Sequence, residues 1–276
     1  MDDFLNFFVT MPNWMKAAWV VIVLSFFWIL EGNYKSVNLS YNKWKHAKSN
    51  LILLFFVMLI NLVFGLITTG VFIWLENSNF GLLHLFQAPV WLKLVLSIMV
   101  LDLIAQYYVH YLLHNVHWMW RLHTVHHTDK NVDVTTGTRH HPFDFIIREI
   151  FALIGVIIMG MPISFYLFYR ILTVAFTYFN HANIGIPDKV DRALSLVIVT
   201  PGMHKFHHHY KAPWTDSNYG NMLSIWDRIF GTFIYEDLND IKYGLDICDF
   251  RDDEDLGQQL NMPFDKEIWR KYKKDR

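Results

Sequence analysis

The chain has 276 residues, of which 53% are hydrophobic, 17% aromatic and only 18% charged, a balance that belongs in a membrane and excludes an ordinary soluble domain. Its formal net charge of −1 gives no electrostatic footprint for nucleic acid. A single cysteine, Cys248, excludes an internal disulfide, a CxxC redox pair and a cysteine-ligated iron–sulfur cluster, so any electrons the protein uses come from elsewhere.

In chain order, the first eleven residues carry Asp2 and Asp3 and lack a basic n-region, so the apolar run that follows reads as a retained anchor, not a cleaved signal. That run, 17–30 extended by Trp14 and Met15, predicts a short span, and 51–75 is long enough to cross with tilt despite Asn61. A third span is expected from about 90 to 113. Two shorter runs, 145–159 and 163–179, are separated by Gly160-Met161-Pro162, which predicts a turn between two helices. At ~16 residues and about 24 Å each, these helices predict a hairpin that barely spans the bilayer or only penetrates it deeply. The loop 31–50 holds Lys35, Lys43, Lys45 and Lys48 whereas 76–89 holds no Lys or Arg, which assigns the first to the cytoplasm. After Pro187 the chain becomes more polar, and from Glu236 an Asp-rich and then Lys-rich composition predicts a soluble cytoplasmic tail. The fold class expected is all-α, an integral-membrane helical bundle with a cytoplasmic histidine-rich dimetal cap.

Of the fifteen histidines, nine form an ordered set: HxxxH at His110 and His114, HxxHH at His123, His126 and His127, a lone His181, and HxxHH at His204, His207 and His208. Residues four apart on a helix share a face, so His110 with His114, and His123 with His127, can point at one ion from consecutive turns. Adjacent His126 and His127 point in different directions, so one motif can serve two metals. A zinc site takes about four ligands, which makes nine imidazoles too many for one ion and points to two metals close together.

The stretches HYLLHNVHWMWRLHTVHHT (110–128), TTGTRHHP (135–142), FNHANI (179–184), TPGMHKFHHHY and NYGNMLSIWDRIFGTF (within 200–233) resemble the fatty acid hydroxylase superfamily. That superfamily includes sterol desaturases, sterol methyl oxidases and alkylglycerol monooxygenases. The resemblance implies an integral-membrane, non-haem di-iron oxygenase that uses O2 to attack a C–H bond of a fatty acyl, sterol or ether lipid. It implies His110, His114, His123, His126, His127, His204, His207 and His208 as ligands of two iron ions, with His181 as a ninth and no catalytic residue apart from the ligands. Zinc is able to take the same sites in purified protein. It also implies a separate electron donor, a cytochrome b5-type or ferredoxin-type protein or a reduced pterin, because no HPGG segment marks a fused cytochrome. The organisation expected is N-terminal transmembrane helices at 1–89, a catalytic domain at 90–235, and a polar tail at 236–276.

Asp102, His117, His141 and His209 are candidates to hold the ligand rings from behind. Asp102 lies eight residues before His110, close to the same helical face, and equally could pair with a basic residue of the tail. His117 shares the face of His114, His140 and His141 precede Pro142, and His209 leaves the pairing of His207 and His208 ambiguous by one residue. His46 and His84 read as ordinary interfacial residues, while Asp216, Asp227 and Arg228 read as ties within the last motif. Three other functions compete. A lipid or sterol desaturase would use the same site, a histidine-rich metal transporter would string ligands along a path, and a zinc hydrolase would need an HExxH base, which is absent. A lipid substrate is expected to enter laterally between the third span and the hairpin.

Overall fold

Long apolar runs broken by short polar turns give helices throughout residues 1–236, 241–245 and 254–272, which this computed structural model describes. Among these residues, pairing in the β manner is confined to isolated bridges such as Lys35 with Ile184. A short helix, α1 (Asp2–Thr10), precedes α2 (Asn13–Asn33), and Pro12 separates them. The long α3 (Lys43–Ser78) starts at an Asn42 cap and ends on left-handed Asn79, and α4 runs over Val90–Asn115. Among the described residues, α2, α3 and α4 are long and apolar enough to cross a membrane.

The hairpin is α6 (Pro142–Met159) and α7 (Ile163–His181), slightly longer than expected at 18 and 19 residues; α5 belongs to the cap below. Gly160 ends α6 at φ 62°, and a side chain there would collide with the carbonyl of Phe80 in the loop between α3 and α4. The tip of the hairpin therefore reaches the same depth as that loop. α1 packs at this end too, with Leu5 in one cluster with Phe72, Leu83, Met161 and Phe165.

At the level of Leu101 the lateral opening expected between the third span and the hairpin is packed shut, while Ala105, Ala152 and Tyr169 also line a cavity between these helices. Leu101 and Ala105 of α4 share a buried cluster with Ala152, Val156 and Tyr169, and a Cβ on Gly155 would stand 3.0 Å from Leu101. Small residues let the two backbones approach, which removes the gap at that level. Ala175 faces α2 instead, packed near Val23 and Tyr178.

At the opposite end from the hairpin tip lies the cap, built from α5 (His117–His127), a 3-10 turn at Val134–Thr138, α8 (Asp188–Leu194), α9 (Pro201–His207) and α10 (Ile225–Ile229). The loop 31–50 belongs to this end. Glu31 accepts hydrogen bonds from the backbone N–H of Val134 at 2.9 Å and Asn183 at 3.0 Å, and pairs with Lys43 at 2.5 Å. The described part of the polar tail docks on the cap. Through α11 (Leu256–Asn261) and α12 (Lys266–Tyr272), it buries Met262, Ile268 and Trp269 against Leu53, Trp120 and Val125, and Arg121 donates to the Pro263 carbonyl at 2.6 Å. Apolar side chains spaced through a polar sequence are enough to dock it. Cys248, 237–240, the rest of the acidic stretch 246–253 and the final basic residues 273–276 lie outside the described residues.

Candidate metal centre

Two local devices aim the first motif. Within α4 the segment Leu103–Tyr108 is π-helical, a wider turn that rotates His110 and His114 relative to the lower helix. Val116, at φ −99° and ψ 110°, then breaks the helix so that α5 folds back and brings His123, His126 and His127 against them. The second HxxHH sits on α9, where Thr200 caps the Met203 N–H at 3.3 Å and Asn218 binds the Met203 carbonyl at 2.9 Å. His181 ends α7.

The nine histidines of the ordered set converge into two buried groups. His110, His114, His123, His127 and His207 form one, and His126, His181, His204 and His208 form the other, each able to bring its nitrogens within 4.8 Å of one another. Adjacent His126 and His127 fall in different groups, as do His207 and His208. His209 falls in neither; its ring lies on Trp214 at 4.8 Å, which resolves the one-residue ambiguity.

The ring nitrogens then decide what the groups can bind. The Nδ1 of His110 faces the Tyr219 carbonyl at 2.9 Å and that of His123 faces Asp144 at 3.1 Å, so both donate there and both Nε2 atoms are bare acceptors. Those two Nε2 atoms stand 3.0 Å apart. The same holds for His126, donating to the Arg139 carbonyl at 3.2 Å, and His181, donating to the Thr177 carbonyl at 2.7 Å, with their Nε2 atoms 3.2 Å apart. His114 with His127 and His181 with His204 also stand at 3.1 Å, but the Nδ1 atoms of His127 and His204 have no partner, so the facing lone pairs are those of the first two couples. Lone pairs that face each other at this distance repel unless a cation lies between them. Two nitrogens each ~2.1 Å from one ion are separated by about 3 Å, so the donor set fits a metal in each group.

Burial first, and then the neighbouring imidazoles, push His126, His127, His204, His207 and His208 well below the ordinary histidine range. Burial takes His123 to about 3, although Asp144 acts in the opposite sense. The rings are therefore neutral near pH 7, the form that binds metal. Buried nitrogens without a hydrogen-bond partner, His207 Nε2 and both nitrogens of His208 among them, are what such a site leaves for its ions.

The residues expected to hold these rings are mostly others. Asp102 touches no imidazole: it accepts from the N–H groups of Met222 and Leu223 and from the Trp226 indole at 3.2, 3.1 and 2.9 Å. The π-helical turn lies between it and His110 and removes the shared face that an unbroken α-helix would give. Its effect is one step removed, since it fixes the segment whose Tyr219 carbonyl holds His110. His117 is exposed, its ring on Trp269 at 5.7 Å. His141 caps α6 through the Phe143 N–H and lies 3.3 Å from the Leu260 carbonyl. Its neighbour His140 is the one that reaches the site, stacked on His126 at 4.8 Å and bound to Asp144 at 3.1 Å. Asp144 and Asp216 do what was expected of Asp102, Asp216 by accepting from His114 Nδ1 at 3.2 Å. A signal for Asp144 was present, four residues after His140 in the first turn of a helix that starts at Pro142. His46 is no interfacial residue. It is fully buried between Asp129 at 2.9 Å and Asp133 at 3.3 Å, whereas His84 is exposed at the far end.

Beneath the four-histidine group lies a cavity of about 190 Å³. Gly137, Thr138, His140 and Thr177 line its upper end, and Asn61, Glu149 and Arg170 line it lower down.

No solved structure matches the chain. An ornithine lipid hydroxylase of Rhizobium tropici is 29% identical over 147 residues, 53% of this chain and 43% of that protein. The alkylglycerol monooxygenase of Homo sapiens is 28% identical over 185 residues, covering 65% of this chain and 38% of the relative. A cholesterol 25-hydroxylase-like protein of Danio rerio is 26% identical over 157 residues, 55% of this chain and 61% of its own. The chain thus spans less than two thirds of each of these relatives. The sequence model of the fatty acid hydroxylase family matches residues 94–232, which is half of the chain and holds all nine clustered histidines, and the chain belongs to that family.

Proposed function

We propose that the protein is a membrane-bound di-iron oxygenase that hydroxylates a C–H bond of a lipid, with residues 90–235 as its catalytic unit. The observation that carries this reading is the set of bare Nε2 atoms facing one another at 3.0–3.2 Å. Ligands are then His110, His114, His123, His127 and His207 for one ion, and His126, His181, His204 and His208 for the other. Iron suits five imidazoles with a position left open, whereas zinc favours four ligands. Iron held there supplies the chemistry of reducing O2 and placing one oxygen atom in the substrate, the other leaving as water with two electrons and two protons consumed. Those electrons come from a separate donor, a cytochrome b5-type or ferredoxin-type protein or a reduced pterin.

The protein's own residues hold the rings neutral and oriented through their Nδ1–H bonds, keep water out of a buried site, and leave the cavity beside His140 for an apolar chain. Hydroxylation is preferred to desaturation because the relatives named above are hydroxylases and a monooxygenase. A transporter is disfavoured because both histidine groups sit together at one end of the spans. That end is assigned to the cytoplasm on the lysines of loop 31–50, with α2, α3 and α4 crossing the membrane. The test is turnover of membrane lipids by the purified, iron-loaded protein under isotopically labelled O2. A lipid alcohol carrying one labelled oxygen, absent in His207→Ala, supports the proposal; a new double bond with unlabelled lipid overturns it in favour of the desaturase.

A further inference from the structure

The hairpin carries charges where a membrane helix should have none. Glu149 of α6 and Arg170 of α7 pair at 2.5 Å, and Arg170 also donates to Asn61 of α3 at 2.9 Å. Arg170 and Asn61 stand far from both ends of their helices, at a depth where unpaired charge is expensive and where ionisable groups usually mark a ligand path. These three residues line the cavity already described, together with Leu54, Val57 and Val174. The pair is not sealed: 31% of the Arg170 side chain remains exposed, on the cavity it lines, while Glu149 keeps only 5%. A guanidinium has five donors in a planar fork, more than the Glu149 carboxylate, the Asn61 amide oxygen and the Tyr166 hydroxyl, which bonds to both Arg170 and Glu149, together occupy.

We propose that this cavity binds a membrane alcohol, an uncharged amphiphile whose hydroxyl lies between Arg170 and Glu149 and whose other end reaches the four-histidine group. Three observations select that chemistry. First, the charged groups lining the cavity are already balanced, Arg170 by Glu149 and Arg148 by Asp144, so an anionic or cationic head would bring in an uncompensated charge. Second, a hydroxyl both donates and accepts, which matches a guanidinium beside a carboxylate. Third, Arg170 and His181 lie on one helix eleven residues apart, ~16 Å, which sets the distance from the hydroxyl to the carbon presented to the metals. The way in is from the bilayer between α2 and α3. Val20 and Met58 line the cavity from those two helices, and Met58 is 50% exposed. Near the cap α2 and α3 are joined by the Lys43–Glu31 pair and the Trp28–Trp44 contact.

The proposal rests on the oxygenase reading for the role of the upper end, but its test does not use turnover. Purified protein in lipid nanodiscs is given isotopically labelled hexadecanol, with unlabelled hexadecanol, hexadecane and palmitate as competitors. Hexadecanol should compete at least ~10-fold better than either, a difference of about 1.4 kcal/mol. The double variant Glu149→Leu/Arg170→Leu, which removes both charges together and so leaves none unpaired, should lose that preference while its metal content is unchanged. If it does not fold, Asn61→Leu should lower the preference several-fold. Equal competition by hexadecane, stronger competition by palmitate, or a preference that survives the variants overturns the site. The two readings fail separately: an alcohol preference in a protein that incorporates no labelled oxygen into any lipid counts against the oxygenase reading alone, and labelled-oxygen turnover without an alcohol preference counts against this site alone.

Discussion

In the five-histidine group two imidazoles donate to carboxylates, His114 to Asp216 and His123 to Asp144, and His110 and His207 donate to carbonyls. Among the described residues the four-histidine group has only backbone carbonyls behind it, from Arg139 and Thr177, and two Nδ1 atoms without a partner, those of His204 and His208, against one, that of His127, in the first group. A carboxylate behind an imidazole raises its basicity and fixes its tautomer, so the first group is built as the firm site. The second depends on how the loop 129–139 and the end of α7 are held, and it adjoins the cavity. One site is thus anchored by charge and the other by backbone geometry, on the side of the cavity.

The largest test of this difference removes one ligand from each group. His207→Ala and His208→Ala should both lower activity to less than ~1% of wild type, since even residues behind ligands are worth 10–100-fold. Metal affinity separates them: His208→Ala should keep the tightly held ion of the carboxylate-backed group, whereas the ion that His207→Ala keeps, if any, should be that of the four-histidine group and be lost first to a chelator. Elemental analysis per chain along a chelator titration decides it, and full activity in His207→Ala would break the dimetal assignment. Next in size is Asp144→Asn, which removes the charge behind His123 while keeping the shape. Chelator competition should show ~10–100-fold weaker binding at one of two sites; an equal loss at both would erase the contrast between the groups.

A smaller effect is expected where the four-histidine group meets the cavity. A Cβ on Gly137 would stand 3.2 Å from the Thr177 methyl and 3.4 Å from His181 Nδ1. Gly137→Val overfills that neck at a cost of ~1–3 kcal/mol and should reduce kcat/KM for a long-chain substrate about tenfold with both metals retained. Normal turnover in this variant would place the substrate path elsewhere.

Spacing in the sequence marked the nine clustered histidines, because a helix turns short intervals into shared faces and the family motifs sit on helices. It marked the hairpin too, through Gly160 and Pro162. What it did not mark depended on contacts between distant segments. Asp102 was misplaced because a π-helical turn cannot be seen in the pattern, and Asp216 reaches His114 across 102 residues of chain. Average composition does not show that the tail docks, because docking uses a few spaced apolar residues such as Met262, Ile268 and Trp269. The entry seam failed in part for a similar reason, since Gly155 against Leu101 closes at that level what apolar composition alone left open.

His46 is the plainest of these misreadings and gives the last test of the comparison. It bridges Asp129 and Asp133, which otherwise face each other in a buried site. Against the burial that would raise it, His46 and Arg139 hold the Asp129 carboxyl well below the usual carboxylate range. Asp133 caps the Val134–Thr138 turn through the Thr135 N–H at 2.8 Å, and Asp129 accepts from Thr136 at 2.7 Å. That turn delivers Arg139, whose carbonyl holds His126. His46→Ala leaves two buried carboxylates without their shared partner, a change of ~3–5 kcal/mol in stability. The Tm should fall by several degrees. Because the turn bears most directly on the four-histidine group, through the Arg139 carbonyl on His126, activity should fall only a few-fold and metal loss should be greatest in that group. His84→Ala, at the far end of the bundle, should change neither. A His46→Ala protein with unaltered Tm and metal content would show that the second group does not depend on this turn, and the contrast with the carboxylate-backed group would then rest on Asp144 and Asp216 alone.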